Sequence, residues 1–203
     1  MLKSNQSIFM LTLRVLATWM LVSIVILLVG EWLLELMLPY FGSIMNMLAQ
    51  HHASVLTITE IDNARMIQVT ATLTQPVYIS EIPVAPAGYQ LAAATNIAHS
   101  YVPIVILYTA LIAWSVHSTG ERIVLLLLGV PTIIIILGLM VPPLLLGHIE
   151  SALLQAAQNM AQDYLEPPFI MRWVIFSETG GRWLFPIVGA WSCKLAARAL
   201  TAQ

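Results

Sequence analysis

SVLTITEIDNARMIQVTATL, residues 54–73, is the stretch that decides how the rest of this chain is read. Leu56, Ile58 and Glu60 alternate with Val55, Thr57, Thr59 and Ile61. Ile67, Val69, Ala71 and Leu73 then alternate with Met66, Gln68, Thr70 and Thr72. A period of two, in residues rich in Thr, Val and Ile, predicts two half-buried strands. Asp62-Asn63-Ala64-Arg65 lies between them, and Asp and Asn suit tight turns because their side chains bond the local backbone. The expected object is a β-hairpin held outside a lipid bilayer by apolar segments on both sides. A lone hairpin is marginal in water. It therefore needs a covering helix, a third strand (expected from Val77 to Ile79) or a partner protein, and Ile58, Val69 and Thr70 are the expected partner contacts.

The setting comes from composition. Of 203 residues, 59% are hydrophobic and 9% charged, and the mean hydropathy is +0.86. Soluble domains carry about 25% charged residues, so most of this surface is expected to face lipid. Eight scattered basic residues make no basic patch, which argues against a nucleic-acid partner. A single cysteine, Cys193, excludes an internal disulfide and a CxxC site.

The fold class expected is a mainly α membrane protein: four transmembrane helices, a small exported β-hairpin segment and an amphipathic surface helix. The order is an N-terminal anchor (1–39), an exported β-containing segment (40–100) and a transmembrane hairpin of spans 2 and 3 (101–147). An exported amphipathic and interfacial segment (148–182) and a C-terminal span (183–203) follow. Pro39 is expected to end the first helix, and Phe41, Met45 and Leu48 to mark a short interfacial one. Glu31 and Glu35, at the outer end of the anchor, are read as reaching headgroup water. HSTGER, residues 117–122, reads as a tight loop. Pro131 and Pro142-Pro143 are expected to kink the third span, with neighbouring helices covering the freed carbonyls. Ile149, Leu153, Ala156, Ala157, Met160 and Tyr164 form a helical stripe. Residues 167–176 are too short to span, and Gly180-Gly181 is expected to break the chain. In the last span Gly189, Cys193 and Ala197 recur every fourth residue, a small-residue face suited to close helix contact. With both termini cytoplasmic, Lys3, Arg14, Arg122, Lys194 and Arg198 fall inside and Arg65, Arg172 and Arg182 outside, a modest positive-inside bias.

Catalytic and cofactor chemistry find no motif. His51 and His52 near Met45 are a soft-metal set by type. Adjacent histidines on a helix diverge by about 100°, and an interfacial polar cluster is the preferred reading. Cys193 has neither the base nor the orienting group a nucleophile needs. No cofactor is expected.

The order of parts resembles the small membrane proteins associated with exosortase H, partners of a bacterial C-terminal sorting protease. The resemblance is carried by YVPIVILYTALIAW (101–114), by GER (120–122) and by GGRWLFPIVGAW (180–191). SEIPVAP stands where that family has an asparagine-proline-leucine pattern. The resemblance implies a non-catalytic helper in the bacterial inner membrane. Residue chemistry and resemblance together point to an accessory subunit of a polytopic membrane complex, with the hairpin, Gly189 and Cys193 as contact surfaces. A metal-handling membrane protein, or a structural subunit of a membrane enzyme complex, is the alternative.

Overall fold

A computed structural model describes residues 2–49, 52–79, 82–116, 118–161 and 166–201. His51, Gln162 and Tyr164, which the sequence reading used, lie outside the described residues. The protein is mainly helical with a small antiparallel sheet. Packing divides it into two units: residues 1–31, 100–137 and 181–203, and residues 32–99 and 138–180.

Helix α1, Leu2–Leu48, runs straight through Pro39. The expected stop does not occur, because a proline inside a helix removes one N–H bond without ending the hydrogen bonding beyond it. Ser43 Oγ donates to the Pro39 carbonyl at 2.9 Å. Thr18, Val22 and Ile26 form a buried stripe at four-residue spacing. The rest of the circumference between Phe9 and Val29 exposes large apolar side chains, with Leu28 79% accessible.

In the first unit Gly30 of α1 lies against Tyr101 of helix α2, Ile97–Ala113, and Gly129, in the first part of helix α3, Thr119–Ala161, lies against Leu111 and Tyr108 of α2. Glu121 and Arg122 belong to the first turn of α3 rather than to a loop. The Ser118 hydroxyl oxygen accepts from the Glu121 N–H at 3.1 Å and so caps the helix. Arg122 donates back to the Leu111 and Ile112 carbonyls, which α2 leaves open at its C-terminus. Helix α5, Arg182–Thr201, buries Pro186, Ala190, Cys193 and Ala197.

In the second unit, β1 (His52–Ile61) and β2 (Ala64–Leu73) pair antiparallel without a break. Asp62 and Asn63 form a two-residue turn with φ of 51° and 61°, the paired positive values that match the twist of a hairpin. The third strand of the sheet is β5, Gln90–Asn96, giving the order β1-β2-β5. Val77–Ile79 (β3) does form a strand, but it pairs with Ile82–Ala85 (β4) in a separate ribbon. The Ala-rich run before α2 is extended because β2 offers it a full ladder from Met66 to Thr72.

The later part of α3 continues as one helix where a span and a separate amphipathic helix were expected. Residues 141–147 are buried all round. Ile149, Leu153 and Ala157 are buried as the stripe requires, whereas Met160 is 57% exposed. Trp173, on helix α4 (Phe169–Phe176), donates its indole N–H to the Leu139 carbonyl at 3.0 Å. That carbonyl lacks a helical partner because residue 143 is proline, so a neighbouring helix does cover a freed acceptor. Gly180-Gly181 does not break the chain. A wide helical turn, Ser177–Gly181, carries α4 directly into α5.

Among the described residues, two helices are long and apolar enough to cross a membrane, over Phe9–Leu48 and Thr119–Met160. Helix α2 is apolar but has 17 residues, and α5 carries Arg182, Lys194 and Arg198 within 20.

Candidate interaction surface

The sheet has two unlike faces because side chains alternate along every strand. Cross-strand register puts Leu56 beside Val69 and Val69 beside Ala93, while Ile58 lies beside Ile67 and Ile67 beside Thr95. This face is covered: Ile67, Val69, Ala71 and Leu73 are buried, and Leu56 packs near Gly42 of α1. On the other face Val55, Thr57, Thr70, Thr72 and Ala92 are exposed or half-buried, and Val55 is 65% accessible. Thr59 donates to Gln68 Oε1 across the strands at 3.0 Å. The open surface is thus threonine-rich, with Val55 (65% accessible) as its most exposed large apolar side chain and Ile61, at 36%, behind it.

The three hairpin positions named as partner contacts separate accordingly. Thr70 is on the open face. Val69, at 0% exposure, has no area to offer a partner, and Ile58 shares its face. Val55, which the sequence reading did not select, is the most exposed large apolar residue of that face. Its place was readable from the alternation, but which of the two faces is covered was not.

The α1 end also reaches the strand edge. Asn46 Oδ1 accepts the Ser54 N–H at 3.2 Å. Leu73, opposite His52, directs its N–H to Tyr89 and its carbonyl to the Gly88 N–H. Hydrogen-bonded and non-hydrogen-bonded pairs alternate in an antiparallel ladder. The even-numbered residues of β1 therefore point their backbone groups away from β2, and beyond Ser54 these are Leu56, Ile58 and Glu60.

Beside the sheet lies a cleft of about 310 Å³ with His52, Tyr78, Glu150 and Leu153 in its lining. His52 is buried and Met45 wholly so, its thioether packed in the core. Among the described residues no three of His, Cys, Asp and Glu come together as a metal-ligand set. His99 Nδ1 lies 3.8 Å from Glu178 Oε1, and Arg172 lies 4.0 Å from Glu166.

In the first unit, Gly189 and Cys193 are taken up inside the chain. A Cβ on Gly189 would come 2.8 Å from Thr132 Cγ2 and 3.1 Å from Ile136 Cδ1. Cys193 Sγ is 3.1 Å from Thr132 Oγ1. The Thr132 hydroxyl already donates to Leu128 O at 2.8 Å, so the thiol is the donor in that contact. The small-residue face of α5 is a packing face, and its partner is α3 of the same chain. Sequence reasoning missed Lys194, whose ammonium sits 3.9 Å from the Trp114 ring centroid.

Compared with protein-family models, with curated proteins and with solved structures, the chain matches none.

Proposed function

We propose that this protein is an integral membrane accessory subunit, without catalytic chemistry of its own, that holds a small sheet against a polytopic membrane partner. The bacterial inner membrane, cytoplasmic termini, four membrane-embedded helices and an exported sheet belong to this proposal. An exosortase-type sorting system is the partner class that the layout resemblance names.

The observation that supports it is the contrast between two exposed surfaces. Between Val15 and Val29 the exposed side chains are apolar around one buried stripe, a surface that only lipid or other helices cover favourably. The sheet instead presents an open, threonine-rich face, opposite one whose central β2 side chains, Ile67, Val69, Ala71 and Leu73, are buried. A polar, threonine-rich platform, with no metal-ligating cluster among the described residues, suits protein contact.

A photoreactive residue at Val55 in the native membrane tests this. The expected result is a crosslink to a polytopic membrane protein that also co-purifies after mild solubilisation. Recovery of the chain alone, with no adduct from Val55 or Thr70, would overturn the reading.

A further inference from the structure

We infer that the free edge of β1 takes up an extended, lysine- or arginine-bearing peptide segment of a partner protein by strand addition. This rests on the accessory-subunit reading and names the chemistry of its contact.

Natural sheet edges are blunted by charged side chains, lysine above all, by proline, by bulges or by a covering element, and β1 carries one such charge, Glu60, beside the turn. Strand β1, HASVLTITEI, has no lysine or proline, and its ten pairs with β2 run without a bulge. Among the described residues, hydrogen bonding to this edge stops at Ser54, where Asn46 takes the N–H. Leu56, Ile58 and Glu60 are left with outward backbone groups, and such a row is the template that an added strand completes.

Charge selects the occupant. The unit that contains the sheet, residues 32–99 and 138–180, carries eight acidic residues against two arginines, a net charge of −6. A second copy would bring the same sign to the edge, and like charges juxtaposed at an interface are unfavourable. A basic strand is attracted instead. Pairing along the edge places one of its side chains beside Glu60 and two beside Ile58 and Leu56, so a cation followed by two alternate apolar residues fits.

The test uses the full chain in phosphatidylcholine nanodiscs. The probe is a dye-labelled peptide of sequence lysine-threonine-valine-threonine-valine, which sets lysine opposite Glu60 in antiparallel pairing, and binding is read by anisotropy. The expected result is binding that weakens about tenfold or more when glutamate replaces the lysine or when both valine amides are N-methylated. Glu60→Lys should invert the preference between the lysine and glutamate peptides while leaving every backbone donor in place. Glu60→Pro should abolish binding, because it removes an outward N–H and no ladder bond to β2; circular dichroism checks that the sheet persists. Equal binding of the N-methylated peptide, or indifference to both variants, overturns the inference. So do dimers that Glu60→Pro dissociates, since these assign the edge to a second copy. A chain that binds the peptide but purifies alone keeps the edge site and loses the accessory role, whereas co-purification with indifference to the peptide does the reverse.

Discussion

Gly189 has room for a hydrogen and little more. The nearest atoms to a substituent there are the methyl of Thr132 and the terminus of Ile136, both on a helix that cannot retreat without unpacking its other side. Gly189→Leu should therefore destabilise by about 1–3 kcal/mol through overpacking. This would be measured as a lowered thermal midpoint in detergent, with Gly189→Ala falling between. Trp173 is a second residue whose role is local and testable. Trp173→Phe keeps most of the ring but removes the N–H that reaches Leu139 O, and should cost about 1 kcal/mol. Replacing Pro143 by alanine in the same background should recover part of that loss, since residue 143 then supplies its own N–H. The proline and its freed carbonyl were legible in the sequence. The tryptophan that answers it, 30 positions later, was not.

At the scale of elements, the hairpin was the most legible part. Strict alternation from Leu56 to Leu73 dictated both strands and their faces, and Asp62-Asn63 the turn. Asn63 holds φ at 61°, a region where glycine pays no steric penalty. Asn63→Gly should stabilise the protein by a few tenths to about 1 kcal/mol, whereas Asn63→Val should destabilise it. Chemical denaturation followed by circular dichroism reads both. Helix ends were the least legible. Pro39 and Gly180-Gly181 are stop signals only where nothing beyond them holds the next turn. Phe41 and Met45 are wholly buried, so packing carries α1 past Pro39. Thr179 Oγ1, in the wide turn, donates to the Ile175 carbonyl at 2.7 Å, taking up an acceptor in the last turn of α4. Strand β5 was ambiguous because LAAAT has no period strong enough to choose between helix and strand, and the open ladder of β2 made the choice.

For the whole molecule, α1 and α3 set the constraint. At 47 residues a helix extends about 70 Å, more than twice the ~30 Å hydrocarbon core of a bilayer. A membrane-embedded α1 therefore continues well past one interface, and its far end is the part that meets the sheet. Under the proposed topology, Thr70→Cys should react with a membrane-impermeant maleimide in intact cells, and Ser118→Cys only after permeabilisation. Native Cys193 is 4% exposed and gives little background. Equal labelling of both positions before permeabilisation would sink the orientation.

Composition and periodicity by themselves determined that this chain is mostly apolar helix with one alternating segment, and that the alternating segment is a hairpin. Both are properties of a residue and its neighbours within a turn or two: a side chain's affinity for water, and the period at which side chains return to one face. What only the tertiary structure decided was which surface remains open. Val69 and Thr70 are adjacent and carry the same local signal, yet one is wholly covered and the other is not. Gly189 and Cys193 look like an interface to a partner until α3 is found filling it. A sequence shows that a face is apolar or small, but not whether another part of the same chain has already reached it.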